Sequence, residues 1–174
     1  MTHRFDLHTH STASDGTLRP AELVAMAVEK GVDQLALTDH DTTAGLEAAQ
    51  VAAREQGIGL IPGIELSVSW AHQTLHIVGL YIDPDHPAMR EGVASQLAFR
   101  RWRAEEIGRR LAKAGIGGAY AGACSYAGGE LVGRTHFARY LVEQGHARDL
   151  KQVFRRYLVK GKPGHVPGEW ATLE

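Results

Sequence analysis

Several things are scarce in this 174-residue chain, and each scarcity removes a class of protein. There is one cysteine, Cys124, so an internal disulfide and a thiolate-bound structural zinc site are both excluded. A solitary thiol suits a reducing, cytoplasmic setting. No apolar run approaches the ~18–20 residues of a bilayer-spanning helix. No apolar h-region follows Met1-Thr2-His3-Arg4, so neither a membrane span nor a secretory signal is expected. A surplus of charge is missing as well. Lys and Arg number 19 against 20 Asp and Glu, a formal net charge of −1. That balance argues against a nucleic-acid coat protein, and duplex DNA is not an expected partner.

Histidine, by contrast, is plentiful: the chain has ten. It is the commonest metal ligand and the side chain that titrates nearest neutral pH. The near-zero net charge also hides a division. Residues 1–84 hold 4 basic against 11 acidic side chains, and residues 85–174 hold 15 against 9. An acidic part able to hold cations is followed by a basic part able to meet an anion.

Patterning divides the chain at the same place. Phe5-Asp6-Leu7-His8 predicts a strand, and Pro20 then opens a helical pattern through Leu23, Val24, Ala27 and Val28 that stops at Gly31. Gln34–Thr38 predicts a buried strand. A helix capped by Thr42 or Thr43 runs through Leu46, Ala49 and Ala53 to Gly57. Ile58–Ile61 predicts a third strand, and Leu66–Trp70 with Thr74–Ile82 a hairpin. Repeated strand–helix units imply a parallel sheet, so the fold class is α/β. Beyond Pro84 the pattern turns helical. Met89, Val93, Leu97, Ala104, Ile107 and Leu111 mark a long amphipathic helix whose other face carries Arg100, Arg101, Arg103, Arg109, Arg110 and Lys113. Gly117–Gly129 reads as a loose connection. Helices over Thr135–Gln144 and from Asp149 complete the pattern, which breaks at Gly161-Lys162-Pro163-Gly164.

Chemistry gathers at the strand ends. In Asp6-Leu7-His8-Thr9-His10 the two imidazoles stand at i and i+2 of an extended segment, so they point the same way. Asp15 follows in a turn sequence able to fold back toward them. Thr38-Asp39-His40-Asp41 ends the second strand, Pro62-Gly63-Ile64-Glu65 the third, and His76 lies in an otherwise apolar strand. Strand carboxyl ends are where α/β folds build sites. His8, His10, Asp15, His40, Glu65 and His76 are therefore candidate metal ligands. Imidazole and carboxylate without cysteine suit Mn²⁺, Fe²⁺ or Zn²⁺. Six groups exceed the needs of one ion with open positions, so two or more ions sharing a carboxylate are expected, the arrangement that activates water for phosphoryl transfer. Asp39 and Asp41 flank a candidate ligand, either orienting it or capping the next helix.

The order and spacing of His8-Thr9-His10 with Ser14-Asp15-Gly16, Thr38-Asp39-His40-Asp41, Gly63-Ile64-Glu65 and His76-Ile77-Val78-Gly79-Leu80 resemble the PHP (polymerase and histidinol phosphatase) domain family. The resemblance implies the N-terminal portion of a distorted (β/α)₇ barrel with an inserted helical cap. Residues 1–82 would form the first half of the barrel, 83–167 the cap, and 168–174 the start of the return to the barrel. It implies two to three divalent ions per complete site, manganese first, with iron(II), zinc or magnesium as alternatives. His8, His10 and Glu65 would surround one metal, Glu65 and His76 a second, and Asp15 and His40 a third.

Arg134-Thr135-His136-Phe137-Ala138-Arg139 and Phe154-Arg155-Arg156-Tyr157-Leu158, with Gly161-Lys162-Pro163-Gly164, resemble the insertion of one PHP subgroup. That subgroup comprises nucleoside-3′,5′-bisphosphate phosphatases and 5′→3′ exoribonucleases. The implied activity is a metal-dependent phosphoesterase acting on such nucleotides, or on the 5′ end of 5′-phosphorylated short RNA, through a metal-activated hydroxide. Arg134 and His136 are the candidate phosphate ligands. They flank Thr135, read as an N-cap, where free N–H groups, the helix dipole and a guanidinium meet. Lys160 and Lys162 are further candidates. The alternatives are a histidinol-phosphate-type phosphatase and a non-catalytic metal- or nucleotide-binding module. The family pattern continues with a histidine–proline motif and a late Gly-Ser-Asp-x-His motif. The sole His-Pro here, His86-Pro87, starts a helix, and no Asp-x-His follows residue 150. The expectation is therefore the first part of a longer protein, with open sheet edges that favour self-association.

Overall fold

Short apolar stretches alternating with helical ones fold as β1 (Phe5–Thr9), α1 (Pro20–Glu29), β2 (Gln34–Leu37), α2 (Leu46–Gln56) and β3 (Gly59–Trp70) in the computed structural model, which describes residues 3–173. Pro20 occupies the first turn of α1, where its missing N–H has no helical partner to lose. Gly57 ends α2 in the left-handed conformation at φ 72°. Threonine does not cap α2: the N-cap is Gly45, and Thr42 Oγ1 instead accepts the Ala44 N–H at 3.2 Å. Both helices cover β2, so Val24, Ala27, Ala49 and Ala53 pack with Leu35 and Leu37 in one buried cluster.

β1, β2 and β3 are parallel, and β4 (Gln73–Leu80) returns antiparallel to β3, giving the order β1-β2-β3-β4. One continuous strand replaces the two expected between residues 58 and 70. β3 changes partners at its middle: Gly59–Pro62 pair with β2, and Gly63–Trp70 pair with β4. Pro62, which lacks a ladder donor, sits at the changeover. Gly63 is there because a Cβ would come within 2.8 Å of Thr38 Cγ2. Near its end β3 also pairs with β5 (Ala171–Thr172), in parallel. Phe5 and Leu7 on β1, with Ile77 and Val78 on β4, are exposed at the two ends of the sheet order.

The helical part begins with α3 (Pro87–Lys113), about 40 Å long at 1.5 Å per residue. α4 (Ala119–Cys124), α5 (Arg134–Glu143), α6 (Leu150–Val153) and a π-helical turn (Phe154–Leu158) follow. The Gly/Ala-rich stretch read as a loose connection contains α4. Ala119 and Ala123, four apart, join Ile107, Leu111, Phe137 and Leu141 in a second buried cluster. The small residues have a packing reason: a Cβ on Gly122 would meet the Tyr140 ring at 2.2 Å. A further correction concerns the arginines of α3, which do not all lie away from its packed face. Arg100 is buried, on the stripe of Gln96, Ala104, Ile107 and Leu111. No helix among the described residues is long and apolar enough to cross a membrane.

Candidate metal centre and anion pocket

The carboxyl ends of the strands converge on Glu65. His8 and His10, two residues apart on one face, bring their Nε2 atoms to the same Glu65 oxygen, Oε2, at 2.8 and 2.9 Å. β2 keeps step with β3 beyond its last residue through a bridge between His40 and Glu65. The Asp41 N–H donates to Glu65 O and the Glu65 N–H to Asp39 O. This holds His40 Nδ1 3.7 Å from Oε2, while His76 Nδ1 on β4 lies 3.6 Å from Oε1. Asp15 Oδ1, from the loop after β1, lies 3.8 Å from His10 Nδ1. The donor atoms form three overlapping groups, each within 4.8 Å: His8, His10 and Glu65; His10, Asp15 and His40; His40, Glu65 and His76.

Buried hydrogen bonds fix this arrangement. Asp39 accepts the Ser11 N–H at 2.7 Å, the Ser11 hydroxyl at 2.6 Å and the Ser14 hydroxyl at 2.5 Å, and so shapes the loop that carries Asp15. Gly16 closes that loop against the His10 carbonyl, where an added Cβ would stand 2.2 Å from the oxygen. Asp41, fully buried, accepts the Ser67 N–H at 2.6 Å and Arg100 Nε at 2.7 Å; Arg100 also donates to Ser67 Oγ at 3.0 Å. Each aspartate thus orders a neighbouring segment of chain and caps no helix.

The donors fit divalent metal ions. Burial alone would raise the pKa of Glu65, but the His8 hydrogen bond and the fields of His40, His10 and His8 hold it below the ordinary carboxylate value. Asp15 is lowered in the same way: burial opposes ionisation, and His40, the Thr135 hydroxyl, His10 and His136 outweigh it. Burial drives His40 down to about 4 against the pull of Glu65 and Asp15, with Arg100 and His10 assisting. At neutral pH the carboxylates are anionic and His40 is neutral, the states that bind a cation. Among the described residues His40 Nδ1 is also the one buried side-chain nitrogen or oxygen without a hydrogen-bond partner. Such an orphan costs about 1–3 kcal/mol, a penalty that coordination removes.

Beside these groups lies a cavity of about 140 Å³, lined by Asp15, His40 and His76 together with Arg100, Arg103, Arg134 and Thr135. The rings of Phe154 and Trp170 complete it. Among the described residues no carboxylate is in ion-pair distance of Arg103 or Arg134. Burial, then Arg134 and Arg100, push Arg103 down to about 10, and burial and Arg100 lower Arg134. Crowded guanidinium groups short of counter-ions form a site for an anion.

The helix expected to start at Thr135 starts one residue earlier, at Arg134. Its N-cap is the extended Gly133, whose N–H donates to His136 Nδ1 at 2.9 Å. His136 is therefore buried and outside the cavity lining, whereas Arg134 is part of it. Thr135, freed from capping, donates to Asp15 Oδ2 at 3.0 Å, and Arg139 donates to Asp15 O at 2.7 Å. Lys160 lines a neighbouring cleft, and Lys162 is exposed on the turn after Val159. The sequence places Arg100 and Arg103 on the basic face of α3 without marking them as site residues. For Arg100 a signal existed, since it falls four residues before Ala104 and seven before Ile107.

A model of the PHP domain matches residues 6–160. The chain belongs to the PHP domain family. Over 173 residues this PHP chain is 53% identical to a 5′-3′ exoribonuclease of Haemophilus influenzae, covering 99% of itself and 63% of that protein. It is 48% identical over 170 residues to a 3′,5′-nucleoside bisphosphate phosphatase of Chromobacterium violaceum, covering 97% of itself and 60% of the relative. A solved structure from Bifidobacterium adolescentis, described as a metal-dependent phosphoesterase, superposes with a TM-score of 0.89 at 26% identity, covering 99% of this chain and 61% of that one. The chain thus spans about 60% of the length of the relatives it matches. Its α/β sheet with parallel strands is the corresponding part of a PHP barrel.

Proposed function

We propose that this chain carries the metal-binding face and the phosphate pocket of a metal-dependent phosphoesterase acting on nucleoside 3′,5′-bisphosphates and 5′-phosphorylated short RNA. The observation that carries the reading is the placement of Arg103 and Arg134, neither with a carboxylate partner among the described residues, on one cavity with His40 and His76. The activities named for the Haemophilus and Chromobacterium relatives support it. Both substrates contain one chemical unit, a nucleoside with a 5′-phosphate and a phosphoryl group on its 3′ oxygen. Hydrolysis of that 3′ ester consumes one water, whose oxygen joins phosphorus and whose proton ends on the 3′ oxygen. The nucleoside 5′-phosphate leaves in either case, with inorganic phosphate or with RNA shortened by one residue.

Divalent ions held by His8, His10, Asp15, His40, Glu65 and His76, manganese by preference, supply charge neutralisation and water activation. The chain's own residues do the positioning. Glu65 spans the imidazoles with both oxygens, and the Asp39 network keeps Asp15 facing His10. Arg134 meets the 5′-phosphate with a planar fork of donors, while buried His136 holds the Gly133 N–H and so orients the start of α5. The Phe154 ring lies under Arg134 and the Trp170 ring under Arg100 and Arg103, so the two rings hold these guanidinium groups at the cavity. A single thiol and a nucleotide substrate fit a cytoplasmic setting.

The deciding measurement compares 5′-phosphorylated with 5′-hydroxyl dinucleotides in the metal-loaded, full-length protein. The phosphorylated one is preferred, and Arg134→Ala raises its KM about 10- to 100-fold, the worth of a charge-assisted contact, without changing turnover of the 5′-hydroxyl form. Equal turnover of both by the unaltered protein overturns the reading.

A further inference from the structure

The face of the β3–β4 hairpin that holds Glu65 and His76 does not end there. Two residues along β4 from His76 stands Thr74, and Ser67 and Ser69 follow Glu65 along β3. The register pairs Ser67 with His76 and Ser69 with Thr74. Strand residues two apart share a face, so this one runs outward from the metal centre to the hairpin turn. There it opens into a second cleft, of about 630 Å³, between the hairpin turn and the segment 160–170. Thr74 and Trp170 belong to both cavities, and Trp170 Nε1 donates to Thr74 Oγ1 at 3.1 Å. The two spaces are therefore neighbours separated by one layer of side chains.

The cleft is built for more than solvent. Trp70 is 55% exposed on its wall, while Trp170 is 7% exposed. An indole left in water at the rim of a cleft beside an anion pocket offers a π-face to a base. Ala71 and His72 form the turn with φ of 47° and 63°, the left-handed region that L-residues rarely adopt and that Asn-Gly usually fills. Trp70 and Gln73, paired next to the turn, stand on the opposite face of the hairpin from Ser69 and Thr74, and they reach the cleft where the hairpin ends. Lys160 and His165 supply nitrogen donors to the same space. Burial, then Arg103, Arg134, Arg110 and Lys160, lower the pKa of His165, which reports a surrounding positive field. Glu169, also on the lining, is an acceptor suited to a base amino group or a ribose 2′-hydroxyl.

A nucleoside bisphosphate ends at its 3′ phosphate, whereas RNA continues beyond it. We infer that this cleft receives the nucleotide on the 3′ side of the cleaved ester, its base on Trp70 and its backbone phosphate at Lys160. The assignment rests on the phosphoesterase reading above, and adds to it the feature by which the site accepts RNA as well as a mononucleotide.

The test uses the full-length, metal-loaded protein with a 5′-phosphorylated trinucleotide RNA and adenosine 3′,5′-bisphosphate as paired substrates. Trp70→Ala lowers kcat/KM for the trinucleotide about 5- to 100-fold, the range of one lost stacking contact. It changes that for the bisphosphate by less than about twofold. Trp70→Phe, which keeps a stacking ring, restores most of the trinucleotide rate. In EDTA the trinucleotide quenches tryptophan fluorescence of the unaltered protein, and the quench is lost in Trp70→Ala. If both substrates are hydrolysed and Trp70→Ala affects them equally or not at all, the cleft assignment alone falls. If the unaltered protein hydrolyses neither, the phosphoesterase reading falls and takes the assignment with it.

Discussion

On the sheet side of the site Asp39 accepts three hydrogen bonds and Asp41 is clamped between the Ser67 N–H and Arg100. On the helical side Arg134 lies over the Phe154 ring at 5.6 Å, and Arg103 donates to the Val166 carbonyl at 3.0 Å while lying 5.3 Å from the Trp170 ring. One side pairs its supporting aspartates and leaves His40 Nδ1 open for an ion; the other keeps positive charge in reserve. The difference follows from what each side must do. Several donor atoms on different strands can share an ion only if they agree to within about 0.5 Å, which requires locked supports. A diffusing phosphate is captured by unspent charge and donors, and fully paired arginines would have nothing left to offer. The acidic and basic halves of the chain are these two requirements written into composition.

The largest effect that breaks this contrast is at Glu65, whose Oε2 is shared by His8 and His10. Glu65→Ala reduces the metal content measured by elemental analysis from two or three ions to about one. Arg134→Ala, on the helical side, leaves metal content unchanged. Unchanged content in Glu65→Ala would refute the division of labour.

Arg100 is the exception that ties the sides together, for it comes from α3 yet spends its charge on Asp41 and Ser67. Arg100→Met strands a fully buried carboxylate, and the expected loss is about 3–5 kcal/mol in a urea unfolding titration. Arg100→Met combined with Asp41→Asn recovers part of it, because the stranded charge is gone. A loss under about 1 kcal/mol for Arg100→Met would show that the pair is not a support.

Legibility in the sequence follows the same line. The strand ends bearing His8, His10, His40 and Glu65 could be read because strand periodicity is short-range: two residues of spacing determine a shared face. The turn bringing Asp15 back could be read from Ser14-Asp15-Gly16. β3 could not be read as one strand, because Pro62 and Gly63 are local breakers, and only the change of partner from β2 to β4 makes them acceptable there. α4 is hard to read because Gly117, Gly118 and Gly122 weaken the helix signal and six residues are too few to show a period, whereas here Gly122 lets α4 and α5 approach closely. Arg100 was hidden by chemistry. A guanidinium on an apolar stripe is ordinarily displaced toward solvent, and only Asp41, 59 residues away in sequence, explains its burial.

Thr135 hides its role for a related reason, and its loss has the smallest expected effect. A threonine at a helix start is ordinarily its cap, yet Gly133 takes that place with the His136 ring as acceptor. The hydroxyl is left to cross to the sheet side and donate to Asp15. Thr135→Val removes that bond while keeping the side-chain volume, and about 1 kcal/mol of stability goes with it. Asp15 does not swing away, because Arg139 still holds its carbonyl and Asp39 still holds Ser11 and Ser14. The bond lowers the Asp15 pKa, so its removal raises that pKa toward the ordinary carboxylate value in a carbon NMR titration of the metal-free protein. A raised pKa with little loss of stability would mean that the helical side tunes the charge of a group the sheet side positions. An unmoved pKa would mean that the Thr135 bond is a structural tie between the two sides and does not tune the charge of Asp15.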